Sequence, residues 1–328
     1  MTRGFTFGKY YPFHKGHEAL INFALKRCNE LIVVVCVSNT EAIDGLTRAA
    51  WIEDSFPSTP KLKVIVFEYD ESSLPNTSVS SEEVSELWSA MFLELLPPVD
   101  CVFTSEKYGD YVAHFMNIKH VPFDYQRVEF PISSSSIRSQ LDINWNYLTP
   151  SVKRSMMKKV VVLGTESTGK STLCALLAKH YQCDFVPEMA RELDIHSTEC
   201  TMEGLYTIAE EHSKAIEAAA SISKSSLLII DTNVDITISY ARFLFQEELV
   251  LSEEIVQSNK ADLYLYLGAD CPFVQDGTRL NEKDRNDLHL SHLRCLEEKN
   301  IDFQQINGDW ENRFSAAVAI IDVLLISN

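Results

Sequence analysis

Residues 160–171 read VVVLGTESTGKS, a stretch that predicts a phosphate-binding loop between a strand and a helix. It matches the pattern G-x-x-x-x-G-K-[ST], and an apolar-periodic helix is predicted to follow from Lys170 to Tyr181. The two glycines let successive backbone N–H groups turn toward phosphate oxygens, and the start of the helix adds partial positive charge. The predicted loop residues are Gly164, Thr165, Glu166, Ser167, Thr168, Gly169, Lys170, Ser171 and Thr172.

The side chains at the end of this loop predict phosphoryl transfer. Lys170 is predicted to reach the β- and γ-phosphates of a nucleotide, and the Ser171 hydroxyl is predicted to bind Mg²⁺. Asp231 ends the apolar run LLIID, so it is predicted to lie at a strand end and to help hold the same ion. Transfer to a hydroxyl needs a general base, and both Asp231 and Glu188 are candidates for that role.

Two further charged segments are predicted to complete the phosphate-loop site. Arg279 and Arg285 fall within the polar stretch 274–286, which predicts a loop whose arginines neutralise charge on the transferred phosphoryl group. Glu188 and Arg191 lie where the second strand of such a fold would present residues to the phosphate acceptor. A solvated charged loop and a surface ion pair are the competing interpretations of these segments.

A different phosphate site is predicted near the amino terminus, where residues 8–17 read GKYYPFHKGH. His14 and His17 are three apart at the start of a predicted helix, so their rings share one face at its positive end. Ring N–H groups and helix amides at that position favour an anionic phosphate chain. Zinc is a poor alternative, because no HExxH pattern or suitable third ligand lies nearby in the sequence.

The serine-rich segment 132–138, ISSSSIR, predicts a second phosphate-contacting element in the same half of the chain. Its hydroxyls lie at a predicted helix start, where they can cap free amides or donate to phosphate. Arg138 would add the positive charge that a polyphosphate requires. A capped helix with a solvent-exposed arginine is the alternative that this segment leaves open when it is considered in isolation.

Apolar runs alternate with amphipathic stretches along the whole chain, which predicts an α/β fold with largely parallel sheets. At 328 residues the chain is long enough for two domains. The boundary is predicted near Pro150, which gives one domain over residues 1–150 and a P-loop domain over residues 151–328. The halves share no visible repeat, so we expect two different nucleotide-binding folds in tandem.

The composition of the chain argues against nucleic-acid binding, a membrane span and a cysteine-based metal site. The formal net charge is −18, and residues 1–150 and 151–328 carry −7 and −11 of it, which argues against nucleic-acid binding. The longest apolar run, Leu31–Val37, is too short to span a bilayer, and no signal peptide is recognised. The eight cysteines contain no CxxC pair, which predicts reduced thiols in a cytoplasmic protein rather than a metal site.

The HxGH motif after the first predicted strand and the ISSSSIR segment together resemble the nucleotidyltransferase superfamily. FGKYYPFHKGH at residues 7–17, combined with VVVLGTESTGKST, resembles the NadR-type family, which pairs nicotinamide mononucleotide adenylyltransferase with ribosylnicotinamide kinase. Other segments in the family's order are ELWS at 86–89, TSEKYG at 104–109, MAREL at 189–193, IIDTN at 229–233 and DGTR at 276–279. The resemblance spans nearly the whole chain and implies a Rossmann-like HxGH nucleotidyltransferase followed by a P-loop kinase fold.

The resemblance also implies a role for each matching residue. His14, His17 and Arg138 would bind the ATP triphosphate and act in catalysis. The other residues implied at this ATP site are Gly8, Lys9, Lys15, Gly16, Ser133, Ser134 and Ser135. Arg48, Trp51 and Trp88 would bind the nicotinamide nucleotide, with Trp88 stacking on the pyridine ring. In the kinase half the matching residues are Lys170, Ser171, Glu188, Arg191, Asp231, Arg279 and Arg285, with Glu188 and Arg191 at the riboside.

By this resemblance the chain phosphorylates nicotinamide riboside with Mg-ATP, and then transfers an adenylyl group from a second ATP to the mononucleotide. The products of the second step are NAD and pyrophosphate. Neither a nucleic acid nor a membrane is an expected partner. Whether the chain forms a homo-oligomer is left open. The helix-turn-helix repressor domain that begins some family members is not expected, because the first predicted strand starts at Phe5. The family tends to have aromatic residues beside the Glu188 position, where this chain has Pro187 and Met189.

Two other functions remain open from the sequence. One is an adenylyl- or cytidylyltransferase for another phosphorylated metabolite, fused to a different small-molecule kinase; Trp88 and the FGKYYP context favour the nicotinamide nucleotide instead. The other is a nucleotide-sensing regulator with a degenerate kinase half. The presence of Lys170 and of both HxGH histidines favours catalysis over sensing.

Overall fold

Two parallel-sheet units make up the chain, and the computed structural model describes residues 2–75, 81–196, 199–271, 273–274 and 280–326. The units are Met1–Ser155 and Met156–Asn328, and each one contains a five-stranded sheet whose paired strands are parallel. This confirms the predicted α/β fold with two parallel sheets. The assignment of one activity to residues 1–150 and another to residues 151–328 stays a prediction.

The sheet of the first unit consists of β1 (Arg3–Gly8), β2 (Glu30–Ser38), β3 (Leu62–Tyr69), β4 (Cys101–Thr104) and β5 (Lys119–Pro122). Its helices are α1 (Lys15–Leu25), α2 (Gly45–Ser55), α3 (Glu82–Leu95), α4 (Tyr108–Met116), α5 (Ser134–Ser139), α6 (Leu141–Asn144) and α7 (Pro150–Met156), with a 3₁₀ turn at Trp145–Tyr147. The strand order is β3-β2-β1-β4-β5. Residues Leu31–Val37 of β2 are all buried, as expected for a strand covered on both faces.

The strand order reverses between β1 and β4, which leaves a crevice at their carboxyl ends. Gly8 ends β1 and Thr104 ends β4, so the segments that follow these two residues border the crevice. Helix α1 begins there with His14 as its N-cap, whose ring accepts a hydrogen bond from the Gly16 amide. The HxGH motif therefore lies at the switch point of the sheet, where parallel α/β folds bind their ligands.

The sheet of the second unit consists of β6 (Lys158–Leu163), β7 (Asp184–Val186), β8 (Leu227–Asp231), β9 (Leu263–Leu267) and β10 (Gln304–Ile306). Its helices are α8 (Lys170–Tyr181), α9 (Met189–Glu192), α10 (Met202–Ile222), α11 (Val234–Phe245), α12 (Glu253–Ser258), α13 (Glu282–Glu298) and α14 (Trp310–Ile326). The strand order is β10-β9-β6-β8-β7. The phosphate loop follows the carboxyl end of the central strand β6, and Asp231 is the last residue of the neighbouring strand β8. Because the two strands are parallel, both lie at the carboxyl ends of the strands.

Strands β5 and β7 are not recognisable as strands from the amino-acid sequence. Each is a short edge strand of three or four residues, with polar or half-exposed positions. Strands of this kind carry too few residues to show the alternation or the apolar run by which strands are recognised. Edge strands therefore account for this omission, while the buried central strands are confirmed.

Two helices begin earlier than the sequence pattern predicts. Helix α13 begins at Glu282, inside the stretch 274–286 that was expected to be a loop, because Asn281 caps it by accepting from the Asp284 amide at 3.0 Å. Helix α14 begins at Trp310, although the apolar sequence that predicts a helix at this end of the chain begins only at Ala316. In both cases polar first turns hide the helix from a search for apolar periodicity.

All eight cysteines lie in the described part of the chain, and none of them is in a disulfide. Burial is the main cause that raises the pKa of Cys36 to about 12 and the pKa of Cys101 to about 11, so both thiols stay protonated at neutral pH. No helix within the described residues is long and apolar enough to cross a membrane.

Two histidines of the second unit are buried in neutral form. His212 contacts Asn259 at 3.2 Å, and His292 contacts the Ser239 hydroxyl at 2.9 Å. Burial lowers the pKa of His212 to about 4, and burial with smaller effects of nearby positive groups lowers the pKa of His292 to about 3. In the unfolded chain both rings return to a pKa of about 6.5. The unfolded state therefore binds more protons as the pH falls below 6.5.

We expect the free energy of unfolding to fall as the pH is lowered from 6.5 toward about 4, because acid charges these rings only in the unfolded state. Each buried histidine contributes up to about 1.4 kcal/mol per pH unit to this loss. Urea unfolding at several pH values should show a shallower loss for His292→Gln than for the wild type. His180→Gln, at an exposed position of the same unit, is the matched control. Equal slopes for His292→Gln and the wild type would contradict the neutral burial of His292.

Candidate active sites

A cavity of about 420 Å³ opens at the crevice between β1 and β4 of the first unit. Its walls come from the loop after β1, the start of α1, the loop after β4 and the segment that leads into α5. The predicted ATP-contacting residues that line it are Gly8, Lys9, His14, Gly16, His17, Ser133, Ser134 and Ser135. Segments from opposite ends of the unit's sequence thus meet at one cavity of the size that small-molecule sites usually have.

His14 and His17 stack against each other at this cavity, with ring centroids 3.7 Å apart and an angle of 21° between the ring planes. Nδ1 of His14 accepts a hydrogen bond from the Gly16 amide at 3.1 Å, so a neutral His14 ring carries its proton on Nε2. Nδ1 of His17 is buried and has no hydrogen-bond partner among the described residues. Each ring therefore keeps one nitrogen available for a ligand.

The two imidazoles carry no charge at neutral pH. Burial, reinforced by the charge of Arg127, lowers the pKa of His14 to about 4. Burial together with His14 and Arg127 holds the pKa of His17 well below its usual range. The pair can therefore donate N–H groups to a phosphate chain but supplies no positive charge before a ligand binds, so other residues must supply that charge.

Arg127 is a cation on the wall of this cavity that no motif in the sequence indicated. Its guanidinium donates to a carboxylate oxygen of Glu106 and, at 3.1 Å, to the carbonyl oxygen of Ile132. The Arg127 and Glu106 side chains are 40% and 43% exposed, so their ion pair is a weak one that an anionic ligand can replace. Arg127 is therefore placed to meet a phosphate chain beside the two histidines.

Arg138 and Lys15 are not among the described residues that line the cavity. The Arg138 guanidinium donates to the Tyr11 carbonyl oxygen and, at 3.3 Å, to the Ser135 hydroxyl. It also lies 5.0 Å from the centre of the Tyr11 ring. Ser135 lines the cavity, so Arg138 contacts a residue of the cavity wall but does not itself line the cavity. The contact of Arg138 with a triphosphate stays a prediction.

Arg48 is also absent from the described cavity wall, although the resemblance assigns it to the nicotinamide nucleotide. Its side chain is fully buried and donates to the Glu41 carboxylate at 2.6 Å and to the Lys9 carbonyl oxygen at 3.1 Å. Glu41 in turn accepts from the Lys9 ammonium at 2.9 Å. In this arrangement Arg48 fixes the loop after β1, on which Gly8 and Lys9 reach the cavity.

Trp51 and Trp88 lie in the interior of the first unit, with 2% and 7% of their surface exposed. The Trp88 indole donates to the Pro75 carbonyl oxygen at 3.0 Å and packs edge-on against Tyr69, with ring centroids 4.9 Å apart. With so little exposed surface, neither indole offers a face to a pyridine ring in this structure. Their assignment to the nicotinamide nucleotide stays a prediction.

The phosphate loop of the second unit has the backbone geometry that its two glycines permit. Gly164 and Gly169 have φ angles of 144° and 89°, which residues with a Cβ rarely adopt. Lys170 opens α8, is buried, and donates from Nζ to the Thr165 carbonyl oxygen at 3.2 Å. The Lys170 ammonium is thus held at the loop, where phosphate oxygens can replace that carbonyl as its acceptor.

Ser171 and Asp231, the predicted metal-binding pair, are in direct contact. The Ser171 hydroxyl donates to Oδ2 of Asp231 at 2.5 Å, while Oδ1 is buried without a hydrogen-bond partner among the described residues. Burial raises the pKa of the Asp231 carboxyl, Lys170 opposes this rise and Glu188 adds to it. A buried carboxylate oxygen beside a hydroxyl fits Mg²⁺, which takes few protein ligands and completes its shell with phosphate and water oxygens.

A small pocket of about 50 Å³ lies beside Glu188 and Thr232 in the second unit. Tyr240 adds an aromatic wall to it, although sequence reasoning placed no aromatic residue there. The Glu188 carboxylate pairs with Arg191 at 3.2 Å, and the Arg191 side chain is 55% exposed. The structure thus places Glu188 on the pocket wall, whereas Arg191 is not among the described residues that line the pocket.

The placement of Arg285 on a polar loop is wrong. Arg285 lies in the first turn of α13, where it is 2% exposed and donates to the Ala269 carbonyl oxygen at 3.0 Å. The Asn281 cap starts the helix before Arg285 and turns this side chain inward, so it is not a solvated loop arginine. Arg279 lies outside the described residues.

Two residues missed by sequence reasoning hold the phosphate loop in place. The Tyr240 hydroxyl, on α11, donates to Oε1 of Glu166 at 3.2 Å. The Arg313 guanidinium, on α14, donates to the carbonyl oxygens of Thr168 at 2.7 Å and Gly308 at 2.8 Å. No local motif marks either residue, because both are far from the loop in sequence and reach it only in the folded unit.

Curated proteins similar to this chain include the "Trifunctional NAD biosynthesis/regulator protein NadR" of Escherichia coli K12. It is 26% identical over 346 residues, which cover 98% of this chain and 82% of that protein. The protein of the same name from Salmonella typhimurium is 26% identical over 345 residues and also covers 98% of this chain. The nicotinamide-nucleotide adenylyltransferase of Methanocorpusculum labreanum is 28% identical over 107 residues, 32% of this chain and 59% of that protein.

Similarity to solved structures extends over both units. A crystal structure of NadR protein in complex with NR is 19% identical, with a TM-score of 0.63 and coverage of 98% of this chain and 95% of that one. A NadR complex with NAD and AMP-PNP has a TM-score of 0.61 over the same shares of each chain. A family model described as an AAA domain matches residues 159–313. The chain is a homologue of the NadR proteins over nearly its whole length.

Proposed function

We propose that this chain carries out two consecutive steps of NAD biosynthesis. Its second half phosphorylates nicotinamide riboside with Mg-ATP, and its first half joins the resulting mononucleotide to the adenylyl group of a second ATP. The observation that supports this proposal is a cavity at the β1/β4 crevice, lined by the HxGH histidines, together with a G-x-x-x-x-G-K-[ST] loop after β6, in a homologue of NadR.

In the transferase half, a phosphate oxygen of the mononucleotide attacks the α-phosphorus of ATP. The bond from that phosphorus to the oxygen bridging it to the β-phosphate breaks, and pyrophosphate leaves with the electron pair. The attacking group is already an anion, so this step needs no general base. Catalysis rests on positioning the two substrates and on stabilising the negative charge that grows on the leaving pyrophosphate.

The cavity residues divide this work between hydrogen bonding and charge. His14 and His17 donate from neutral, buried rings, and a hydrogen bond from a buried donor to a developing charge is stronger than one in water. Arg127 brings positive charge by exchanging Glu106 for phosphate oxygens. Arg138, held by Ser135, adds a second guanidinium near the cavity's serine-rich wall.

Arg127→Ala is expected to lower kcat/KM for adenylyl transfer by roughly ten- to a hundred-fold, because it removes a cation from the cavity wall. Riboside phosphorylation should stay unchanged, since Arg127 belongs to the other unit. Steady-state kinetics with ATP as the varied substrate would measure both. Glu106→Gln is the matched control, because it frees Arg127 without removing it and should leave kcat/KM equal or higher. A Glu106→Gln loss as large as that of Arg127→Ala would show that the ion pair itself is what matters.

In the kinase half, the attacking hydroxyl oxygen of the riboside forms a bond to the γ-phosphorus, and the bond from that phosphorus to its bridging oxygen breaks to release ADP. Lys170 and the amides of the phosphate loop hold the phosphates. Ser171 and Asp231 would hold Mg²⁺, which when bound neutralises phosphate charge. Glu188 accepts the hydroxyl proton in this proposal, because it lines the pocket beside the loop while Asp231 faces Ser171.

The acceptor pocket must widen when the riboside binds. Its volume of about 50 Å³ is far below the roughly 300 Å³ at which ligand pockets usually begin. Glu188, Thr232 and Tyr240 would then contact the riboside, with the Tyr240 ring as an aromatic surface for the pyridine. Tyr240 would then take the place of the aromatic residues that the family tends to have beside the Glu188 position, where this chain has Pro187 and Met189.

A panel of phosphorylated acceptors tests the transferase assignment. The full chain is incubated with Mg-ATP or Mg-CTP and each of nicotinamide mononucleotide, phosphopantetheine and glycerol 3-phosphate, and pyrophosphate release is measured. Release with ATP and the mononucleotide alone is the expected result. Faster release with another acceptor or with CTP would support the rival transferase and overturn the proposal.

The partners that this proposal requires are small molecules: ATP, the mononucleotide, the riboside and NAD. The cytoplasmic location, the absence of a nucleic-acid partner and the oligomeric state all stay predictions.

A further inference from the structure

Trp310 packs directly on the phosphate loop. It is the first residue of α14, and a Cβ placed on Gly169 would lie 2.1 Å from Cη2 of its indole. The two ring carbons bonded to Cη2 are both 3.0 Å from the same point. These distances place the point outside the ring, beyond its Cη2 corner. The indole thus meets Gly169 at the edge of its six-membered ring rather than over the centre of a face.

The position of Trp310 is fixed by hydrogen bonds rather than by apolar packing alone. Arg313, one turn further along α14, is 2% exposed and donates to the Thr168 and Gly308 carbonyl oxygens at 2.7 and 2.8 Å. Asp309 accepts from the Asn312 amide at 2.9 Å and so closes the first turn of the helix. The same arginine therefore holds both the phosphate loop and the start of α14, and Trp310 is held beside the loop.

Trp310 differs from the other tryptophans in its exposure. It is 50% exposed, whereas Trp51, Trp88 and Trp145 are 2%, 7% and 0% exposed. A large aromatic side chain with half its surface in water, fixed next to a phosphate site, is a surface on which a flat heteroaromatic ring can stack. A nucleotide whose phosphates occupy the loop carries such a ring on the same molecule.

We propose that Trp310 is the platform on which the purine base of the phosphoryl donor stacks in the second unit. This inference rests on the proposed kinase function for the identity of the reaction. Gly169 allows the close approach of the ring edge, Arg313 fixes the helix that carries the indole, and the exposed surface of the indole is left for the base. Stacking of this kind favours purine over pyrimidine nucleoside triphosphates, because a purine covers more of the indole.

Enzyme kinetics with the full chain test the platform. Trp310→Phe and Trp310→Leu keep an apolar side chain against Gly169, but the phenyl ring is a smaller platform and leucine has none. The KM for ATP in riboside phosphorylation should rise in the order Trp310, Phe, Leu, by on the order of ten-fold at leucine. The kcat at saturating ATP should be unchanged, and so should the KM for ATP in adenylyl transfer, which is the internal control. Unchanged KM values for both variants in the kinase reaction would overturn the proposal.

Fluorescence gives a second readout that does not depend on turnover. Mg-ATP should quench the tryptophan emission of the full chain, Mg-tripolyphosphate should not, and Trp310→Phe should abolish the ATP effect, because the other three tryptophans are buried. Equal quenching by tripolyphosphate would overturn the proposal, since phosphate binding alone would then account for the signal. If the wild type phosphorylates no riboside but the ATP-specific quench remains, the kinase assignment fails while the stacking platform stands.

Discussion

Replacing Lys170 by alanine is expected to lower riboside phosphorylation on the order of a thousand-fold, and to leave adenylyl transfer unchanged. Lys170 is buried at the loop and donates to the Thr165 carbonyl oxygen, so its ammonium is placed to follow the γ-phosphate through transfer. ATP binding should suffer less than the rate, because the backbone amides of residues 164–171 remain. Single-turnover phosphorylation, together with a direct binding measurement for ATP, separates the two effects.

Lys179→Ala is the matched control for this experiment. Lys179 lies on the same helix, α8, but at an exposed position away from the loop, and its replacement should change neither rate. A kcat for Lys170→Ala close to that of the wild type would show that the second unit does not transfer phosphate through this loop. If the wild type itself phosphorylates no riboside, the unit is either a kinase for another nucleoside or an ATP sensor.

His17→Ala should lower adenylyl transfer by a factor of about 10² to 10³, the usual effect of removing one donor to a developing charge. The His17 ring is stacked on His14 inside the cavity, and its pKa is held well below the usual range, so it acts as a neutral donor. His17→Asn keeps a neutral N–H donor and should recover part of the lost rate. Initial rates of NAD formation from the mononucleotide and ATP would measure all three proteins.

An exposed histidine of the same unit, His114, provides the control, and His114→Ala should behave as the wild type. If His17→Asn is as inactive as His17→Ala, the His17 ring contributes more than a neutral donor. That result would contradict the proposal that the histidines only donate hydrogen bonds while Arg127 supplies the positive charge. Loss of riboside phosphorylation in a folded His17→Ala protein would contradict two independent sites.

The motifs that sequence reasoning recognised are those whose chemistry depends on contiguous residues. HxGH and the phosphate loop each require a strand, a turn and a helix start in unbroken order. Their location at the carboxyl end of a strand in each sheet therefore followed from the pattern. The buried strands β2 and β8 were recognisable for a similar reason, as runs of apolar residues.

The residues that were missed reach the sites from distant segments. Arg127 approaches the histidines through a turn after β5, and Arg313 reaches the phosphate loop from the last helix. A single sequence carries no signal for such contacts, because they depend on how strands are ordered in the sheet. Arg285 was misplaced for a local reason, since the Asn281 cap starts α13 in a stretch that looks polar enough to be a loop.

The most direct test of two activities in one chain is a time course of products from nicotinamide riboside. The purified full chain is incubated with the riboside, excess ATP and Mg²⁺, and the products are separated and identified by mass. We expect the mononucleotide to appear first and NAD to follow with release of pyrophosphate, and His17→Ala to stop at the mononucleotide. Failure of the wild type to convert riboside to mononucleotide, or mononucleotide to NAD, would contradict the account.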